Sequence, residues 1–192
     1  RKLHLPVIEL LSGHVSSLLA DNGISIAFSS QRLKRMTSIK EKLLRSTSMG
    51  LGGVQDIGGG RFVFEDMDSL LRAKDCIAKP ESDLDGMRVE LQIRTKLQHD
   101  WATAVETAEL ISNSSLKASQ GDQAWLEFFK LVSAIFARRE NQPVNDLFKD
   151  MTEEDYCLRY FKMNNQYKFV DNLKALVGAV SFTEQKSFTG GY

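Results

Sequence analysis

The sequence predicts an α/β (α+β) chain in which helices alternate with short strands and give way to a helical C-terminal part. Three observations carry that prediction. Leu3, Val7, Leu10, Leu11, Val15, Leu18 and Leu19 recur at helical spacing, which makes an amphipathic opening helix with Pro6 confined to its first turn. In "RVELQIRTKLQHDW", Arg88 to Trp101, the residues Val89, Leu91 and Ile93 alternate with Glu90, Gln92 and Arg94, the period-two pattern of a strand with one apolar and one polar face. From Gln123, the spacing of Trp125, Phe128, Phe129, Val132 and Phe136 marks a second amphipathic helix that ends near Glu140.

The remaining elements fill in between. Asn22-Gly23 is a turn signal, followed by a short strand through Ile24, Ile26 and Phe28. "TSIKEKLL" starts a helix, with Ser38 and Glu41 at capping-box spacing. "DIGGG" reads as a Gly-rich turn running into a strand "RFVFE", and Asp66 to Leu71 reads as helical. "LRYFKMNNQYKFVDNLKALVGAV" continues the helical part, and "SFTEQKSFTGGY" resembles the start of a strand hairpin.

Composition narrows the function classes. A chain of 192 residues with 42% hydrophobic content can build a real core, so a globular fold is expected. Its 25 basic and 25 acidic residues cancel, which excludes a polycation and makes any anion site local. Cys76 and Cys157 have no metal-ligand spacing and indicate neither a zinc site nor a disulfide framework. The opening residues have no secretory-signal pattern and no apolar run reaches membrane-span length, so a cytoplasmic location is the expectation.

Two local patterns carry chemistry. Arg32, Lys34, Arg35, Lys40, Lys42 and Arg45 cluster just before and inside the helix of Ser38, where cations at a helix N-terminus oppose the macrodipole unless an anion is bound there. A solvated basic face is the plain alternative. Asp56 precedes three glycines and Arg61, so a backbone free of side chains is flanked by a carboxylate and a guanidinium. With Glu90 on a strand, Asp56 could hold Mg²⁺, which takes one or two carboxylates and leaves substrate phosphates to complete its octahedron. Cations for phosphate and a pair of carboxylates for magnesium together point to phosphoryl-type transfer.

Four segments, "RLKRMTSIKEKL", "DIGGGR", "RAKDCIAKP" and "VELQIRTKLQH", resemble in order the successive motifs of the RelA/SpoT synthetase domain. The resemblance covers roughly residues 25 to 110 and implies a nucleotidyltransferase-like mixed β-sheet flanked by helices, with a C-terminal helical extension. Together with the C-terminal helices and hairpin read above, this divides the chain into a synthetase core over 1–115, helices packed on the core over 116–180 and the start of a further strand unit over 181–192. The implied activity is an ATP-dependent pyrophosphokinase that places pyrophosphate on a ribose 3′-hydroxyl, of GDP or GTP in the alarmone synthetases. Carried over by position, Arg32 lies against adenine. Lys34, Ser38 and Lys42 surround the ATP phosphates, with Arg61, Arg72 and Lys74 adding positive charge. Asp56 and Glu90 are the implied ligands of Mg²⁺, and Glu90 also acts on the acceptor hydroxyl. Gln92, Arg94 and His99 face the acceptor nucleotide.

The sequence also departs from the family. The Gly-Tyr-x-Ser-x-His segment that gives the acceptor base its aromatic platform is absent, since Pro80 runs almost directly into "ESDLDGMRVELQ", and the usual tyrosine before it is Cys76. The acceptor therefore stays open between a guanine nucleotide and the 3′ end of tRNA, the target of related toxins, for which Arg138 and Arg139 would add basic surface. A non-catalytic nucleotide-sensing module is the alternative of another class, against which the retention of Asp56 and Glu90 weighs. The hydrolase that often accompanies this family needs more His and Asp ligands than His4, His14, His99 and Asp100 offer. An antitoxin or further copies of the chain are the protein partners that the resemblance allows.

Overall fold

The computed structural model describes residues 4–45, 50, 53–54, 56–78, 89–112 and 122–175. The expected strand unit of 181–192 and the segment after Pro80 lie outside them. The chain divides into two compact units, Arg1–Lys96 and Leu97–Tyr192.

In the first unit the order is α1 (His4–Asp21), β1 (Phe28–Leu33), α2 (Met36–Arg45), β2 (Gly58–Phe64), α3 (Met67–Ile77) and β3 (Glu90–Thr95). The three strands form a mixed sheet in the order β1-β2-β3. β1 pairs antiparallel with β2, from Phe28 opposite Val63 to Leu33 opposite Gly58. β3 pairs parallel with β2, from Gly59 beside Glu90 to Phe64 beside Thr95, with α3 in the crossover as parallel pairing requires.

α1 runs along β2, and the glycines of β2 explain how closely. A Cβ at Gly58 would lie 2.4 Å from Ile8 Cδ1, and one at Gly60 would lie 3.1 Å from Ser12 Oγ. "GGG" is therefore strand rather than turn, and its missing side chains admit a helix. Val15 and Leu19 of α1, Phe62 and Phe64 of β2, and Leu70 and Ala73 of α3 are buried together, with Leu91 and Ile93 of β3 packed against them. Each large apolar side chain so buried contributes about 1.5–3 kcal/mol. α1 ends at Gly23, whose φ of +62° favours glycine, and the Ile24 amide donates to the Leu19 carbonyl over 2.9 Å.

Two expected boundaries move. The strand after Gly23 starts at Phe28 rather than Ile24, because pairing begins only where the Ala27 amide meets the Val63 carbonyl. Helix α2 begins at Met36, which puts Ser38 inside its first turn rather than at the cap, so the expected Ser38–Glu41 capping box does not form. α3 starts after Asp66, whose side chain accepts from the Ser69 amide, and runs on to Ile77.

The second unit holds α4 (Lys96–Ser112) beyond its first residue, then α5 (Gln123–Arg139) and α6 (Glu153–Tyr167), with residues 169–175 also helical. Its core is aromatic: Trp125, Phe128, Phe129 and Phe169 are buried with Val105 and Ala108 of α4. α5 matches the sequence prediction at both ends. α4 was not foreseen, although Trp101, Ala104, Val105 and Ala108 have helical spacing. Lys168, at φ +54°, breaks the predicted last helix in two. Tyr156 Oη donates to the Phe148 carbonyl over 2.6 Å, and Arg138 donates to the Met151 carbonyl while its guanidinium lies 5.3 Å from the Tyr156 ring centre. Arg138 thus serves the junction of α5 and α6.

Candidate active site

The sheet register sorts the predicted residues. Side chains at paired positions of neighbouring strands point to the same face. Arg32, Gly59 and Glu90 form one row, Ser30, Arg61 and Gln92 the next, and Phe28, Val63 and Arg94 the third. Phe62, Phe64, Leu91 and Ile93 turn the other way, into the core under α1 and α3. The alternation seen in the sequence of β3 therefore puts Glu90, Gln92 and Arg94 on the face opposite those helices.

The centre of the first row is a glycine for a steric reason. A Cβ at Gly59 would lie 2.7 Å from the Glu90 carbonyl oxygen, a backbone atom that cannot swing aside. Arg32 and Glu90, two strand spacings or about 10 Å apart at Cα, consequently face each other across a floor without side chains. The glycine run before the apolar stretch "RFVF" was expected as bare backbone between Asp56 and Arg61, and at Gly59 the neighbouring strand's own backbone requires it.

Beside this row, Lys34 and Lys42 converge on Asp56. Lys34 stands just past β1, and its amide donates to the Ile57 carbonyl over 2.9 Å, which extends the pairing of β1 with β2 and carries the side chain to Asp56. Lys34 Nζ donates to Asp56 Oδ2, and Lys42 Nζ, from α2, donates to Asp56 Oδ1 over 3.0 Å. The Asp56 side chain is only 19% exposed, so these ammonium groups act with reduced solvent screening. Burial alone would raise the Asp56 pKa, but the hydrogen bonds and charges of the two lysines outweigh it and hold the carboxyl at about 2. Asp56 is an anion at any physiological pH.

Glu90, Arg32, Ser38 and Lys74 make no side-chain hydrogen bond or ion pair with another described residue. Glu90 therefore forms no ion pair with its strand neighbour Arg94, while Arg88, the other arginine near it in sequence, lies outside the described residues. Arg61 Nε donates to Gln92 Oε1 over 3.1 Å. Arg72 is placed elsewhere: its guanidinium donates to the Asn22 carbonyl over 3.1 Å, at the C-terminal end of α1, whereas His4 and Ile8 at the start of α1 lie against Gly58. Arg72 thus ties α3 to α1 at the end of the sheet away from Asp56. Lys74 is exposed on α3, in the helix layer, and His99 lies on α4 in the second unit.

Among the described residues, no three or more His, Cys, Asp or Glu side chains come together as a metal cage. Asp56 stays ionised and Glu90 has no partner among the described residues, a donor set of the kind magnesium takes, but both Asp56 oxygens accept from a lysine ammonium that a bound ion would have to displace.

No family model matches the chain, and no curated protein matches it in sequence. Solved structures do. Small alarmone synthetase 2 from Bacillus subtilis superposes with a TM-score of 0.61 at 15% identity, over 72% of this chain and 91% of that one. Small alarmone synthetase 1 from the same organism, bound to its product pppGpp, gives 0.56 at 19% identity, over 73% and 92%. The same protein bound to AMPCPP gives 0.53 at 21% identity, over 73% and 87%. The fold is that of the small alarmone synthetases. In this fold the mixed sheet predicted from the motif resemblance is present, and α1 and α3 cover the apolar face of the sheet. No described helix is long and apolar enough to cross a membrane.

Proposed function

We propose that the protein is an ATP-dependent pyrophosphokinase that transfers the β,γ-pyrophosphate of ATP to the ribose 3′-hydroxyl of GDP or GTP. The observation that carries this reading is the convergence of Lys34 and Lys42 on an ionised Asp56 beside the Arg32–Gly59–Glu90 row, in an alarmone synthetase fold. The Bacillus subtilis neighbours bound to AMPCPP and to pppGpp support an adenine nucleotide as donor and a guanine nucleotide as acceptor.

Each residue then has a task. Lys34 and Lys42 supply positive charge for the triphosphate, with Ser38 in the first turn of α2 close by in sequence. Arg32, an exposed planar cation at the edge of the glycine floor, suits the face of the adenine. Asp56 and Glu90 would hold Mg²⁺, which when bound neutralises developing charge on the phosphates. Glu90 accepts the proton of the 3′-hydroxyl, general-base work worth typically 10²–10⁴ in rate. The freed oxygen bonds to the β-phosphorus as the bond from that phosphorus to the α,β-bridging oxygen breaks, and AMP leaves. Gln92 and Arg94, next along the same strand face, contact the acceptor.

The test offers ATP labelled at the γ position with GDP, GTP, ADP or uncharged tRNA in separate reactions. Label on GDP or GTP is the expected result. Label on tRNA alone would replace the acceptor and keep the reaction, and label on none of the four would reject the reaction. The engagement of Arg138 with Met151 and Tyr156 weighs against its use as a tRNA contact.

A further inference from the structure

The Arg61–Gln92 contact is not explained by the tasks above, since Arg61 was assigned to ATP and Gln92 to the acceptor. A guanidinium carries only donors, so the amide atom 3.1 Å from Arg61 Nε is the oxygen, and the orientation of the Gln92 side chain follows without a choice. Its NH₂ group is therefore turned away from Arg61, and no described residue receives those hydrogens. Gln92 is half-buried and opposite Arg61 in the register, which limits its freedom to turn over.

We propose that Arg61 is a positioning residue that fixes the Gln92 amide with its N–H groups toward the acceptor nucleotide, so that Gln92 selects hydrogen-bond-accepting atoms there. The proposal rests on the pyrophosphokinase reading. Gln92 stands two residues from Glu90 on the same face, about 7 Å along the strand. A ligand whose reacting hydroxyl lies at Glu90 therefore meets a donor one strand repeat away. A phosphate oxygen, a keto oxygen or a ring nitrogen satisfies that donor; an exocyclic amine meets donor with donor and is rejected. Arg61 also links the two nucleotides, because the side chain that faces the ATP end orients the one that reads the acceptor.

Gln92→Glu separates the two roles. A carboxylate still accepts from Arg61, with charge assistance, so the local structure is kept, but it has no N–H to give. In steady-state transfer to whichever acceptor the wild type uses, Gln92→Glu should raise the acceptor KM about 10- to 100-fold while leaving the KM for ATP within about twofold. Arg61→Lys, which keeps charge but loses the Nε direction, should raise both KM values, and its effect on the acceptor should not add to that of Gln92→Glu. The ¹⁵N-labelled side-chain amide of Gln92 should shift on addition of acceptor and not on addition of a non-hydrolysable ATP analogue. An unchanged acceptor KM in Gln92→Glu, or equal losses for both nucleotides, would overturn the proposal and leave the activity standing. A wild type that labels none of the acceptors would overturn the activity itself.

Discussion

Asp56 and Asp155 are both carboxylates held below their ordinary pKa, and they differ in where their partners come from. Asp155 belongs to the second unit, where it completes a capping box: its carboxylate accepts from the Thr152 amide and hydroxyl, three residues away, and the Thr152 hydroxyl accepts from its amide. Those hydrogen bonds lower its pKa. Asp56 draws on Lys34 and Lys42, which are 22 and 14 residues away on different elements. A depressed carboxylate with partners inside its own helical turn is explained by that helix. One whose partners are assembled by the tertiary fold, at a place where no helix end needs them, is a candidate for chemistry.

The same contrast predicts the largest effect at Glu90, a carboxylate at the edge of the glycine floor with no described partner. Glu90→Gln keeps the shape and removes the proposed base and metal ligand. We expect kcat for labelled pyrophosphate transfer to fall by about 10²–10⁴ while the melting temperature stays within about 2 °C of wild type. Unchanged turnover in this variant would return Glu90 to an ordinary surface carboxylate.

Asp56→Asn should act on stability as well as activity. It leaves two ammonium groups facing a neutral amide in a partly buried place, for which we expect a loss of about 1–3 kcal/mol at pH 7 by urea denaturation. The pH dependence fixes the sign. Because the folded pKa is about 2 against an ordinary 3.8, the stabilisation from Asp56 is fully present above 3.8 and is lost as the pH falls through about 2. The difference between wild type and Asp56→Asn should therefore be constant from neutral pH down to about pH 4 and shrink below it. A gap that persists undiminished toward pH 2 would detach it from this carboxylate.

What could be read in advance follows from how local each cause is. The alternation in β3 and the spacing in α5 are patterns within one element, and both appear in the fold as predicted. β1 was misplaced because "FSSQRL" is a polar edge strand whose strand character comes from its partner β2, not from its own pattern. α4 was missed because it follows β3 with no turn residue between them. At the site, the motif resemblance pointed to Lys34, Lys42, Asp56 and Glu90, but not to the lysines resting on Asp56 or to the steric need for Gly59. It also placed Arg72 with the phosphates, whereas its described partner is Asn22, 50 residues away across the helix layer.

Asp155→Asn should have the smallest effect, and its smallness is informative. The amide oxygen of asparagine can still accept from Thr152, so the box is weakened rather than abolished, and the loss of one negative charge beside Glu153 and Glu154 costs little at an exposed helix start. A shift of about 1–2 °C in melting temperature is expected, with transfer activity unchanged. Because Asp155 accepts from groups that remain donors at any pH, its stabilisation should fade only under acid conditions, in the same direction as that of Asp56 but without any change in nucleotide binding. If Asp155→Asn lowered transfer activity as Asp56→Asn is expected to, the distinction between a locally satisfied and a tertiary-assembled carboxylate would fail for this protein.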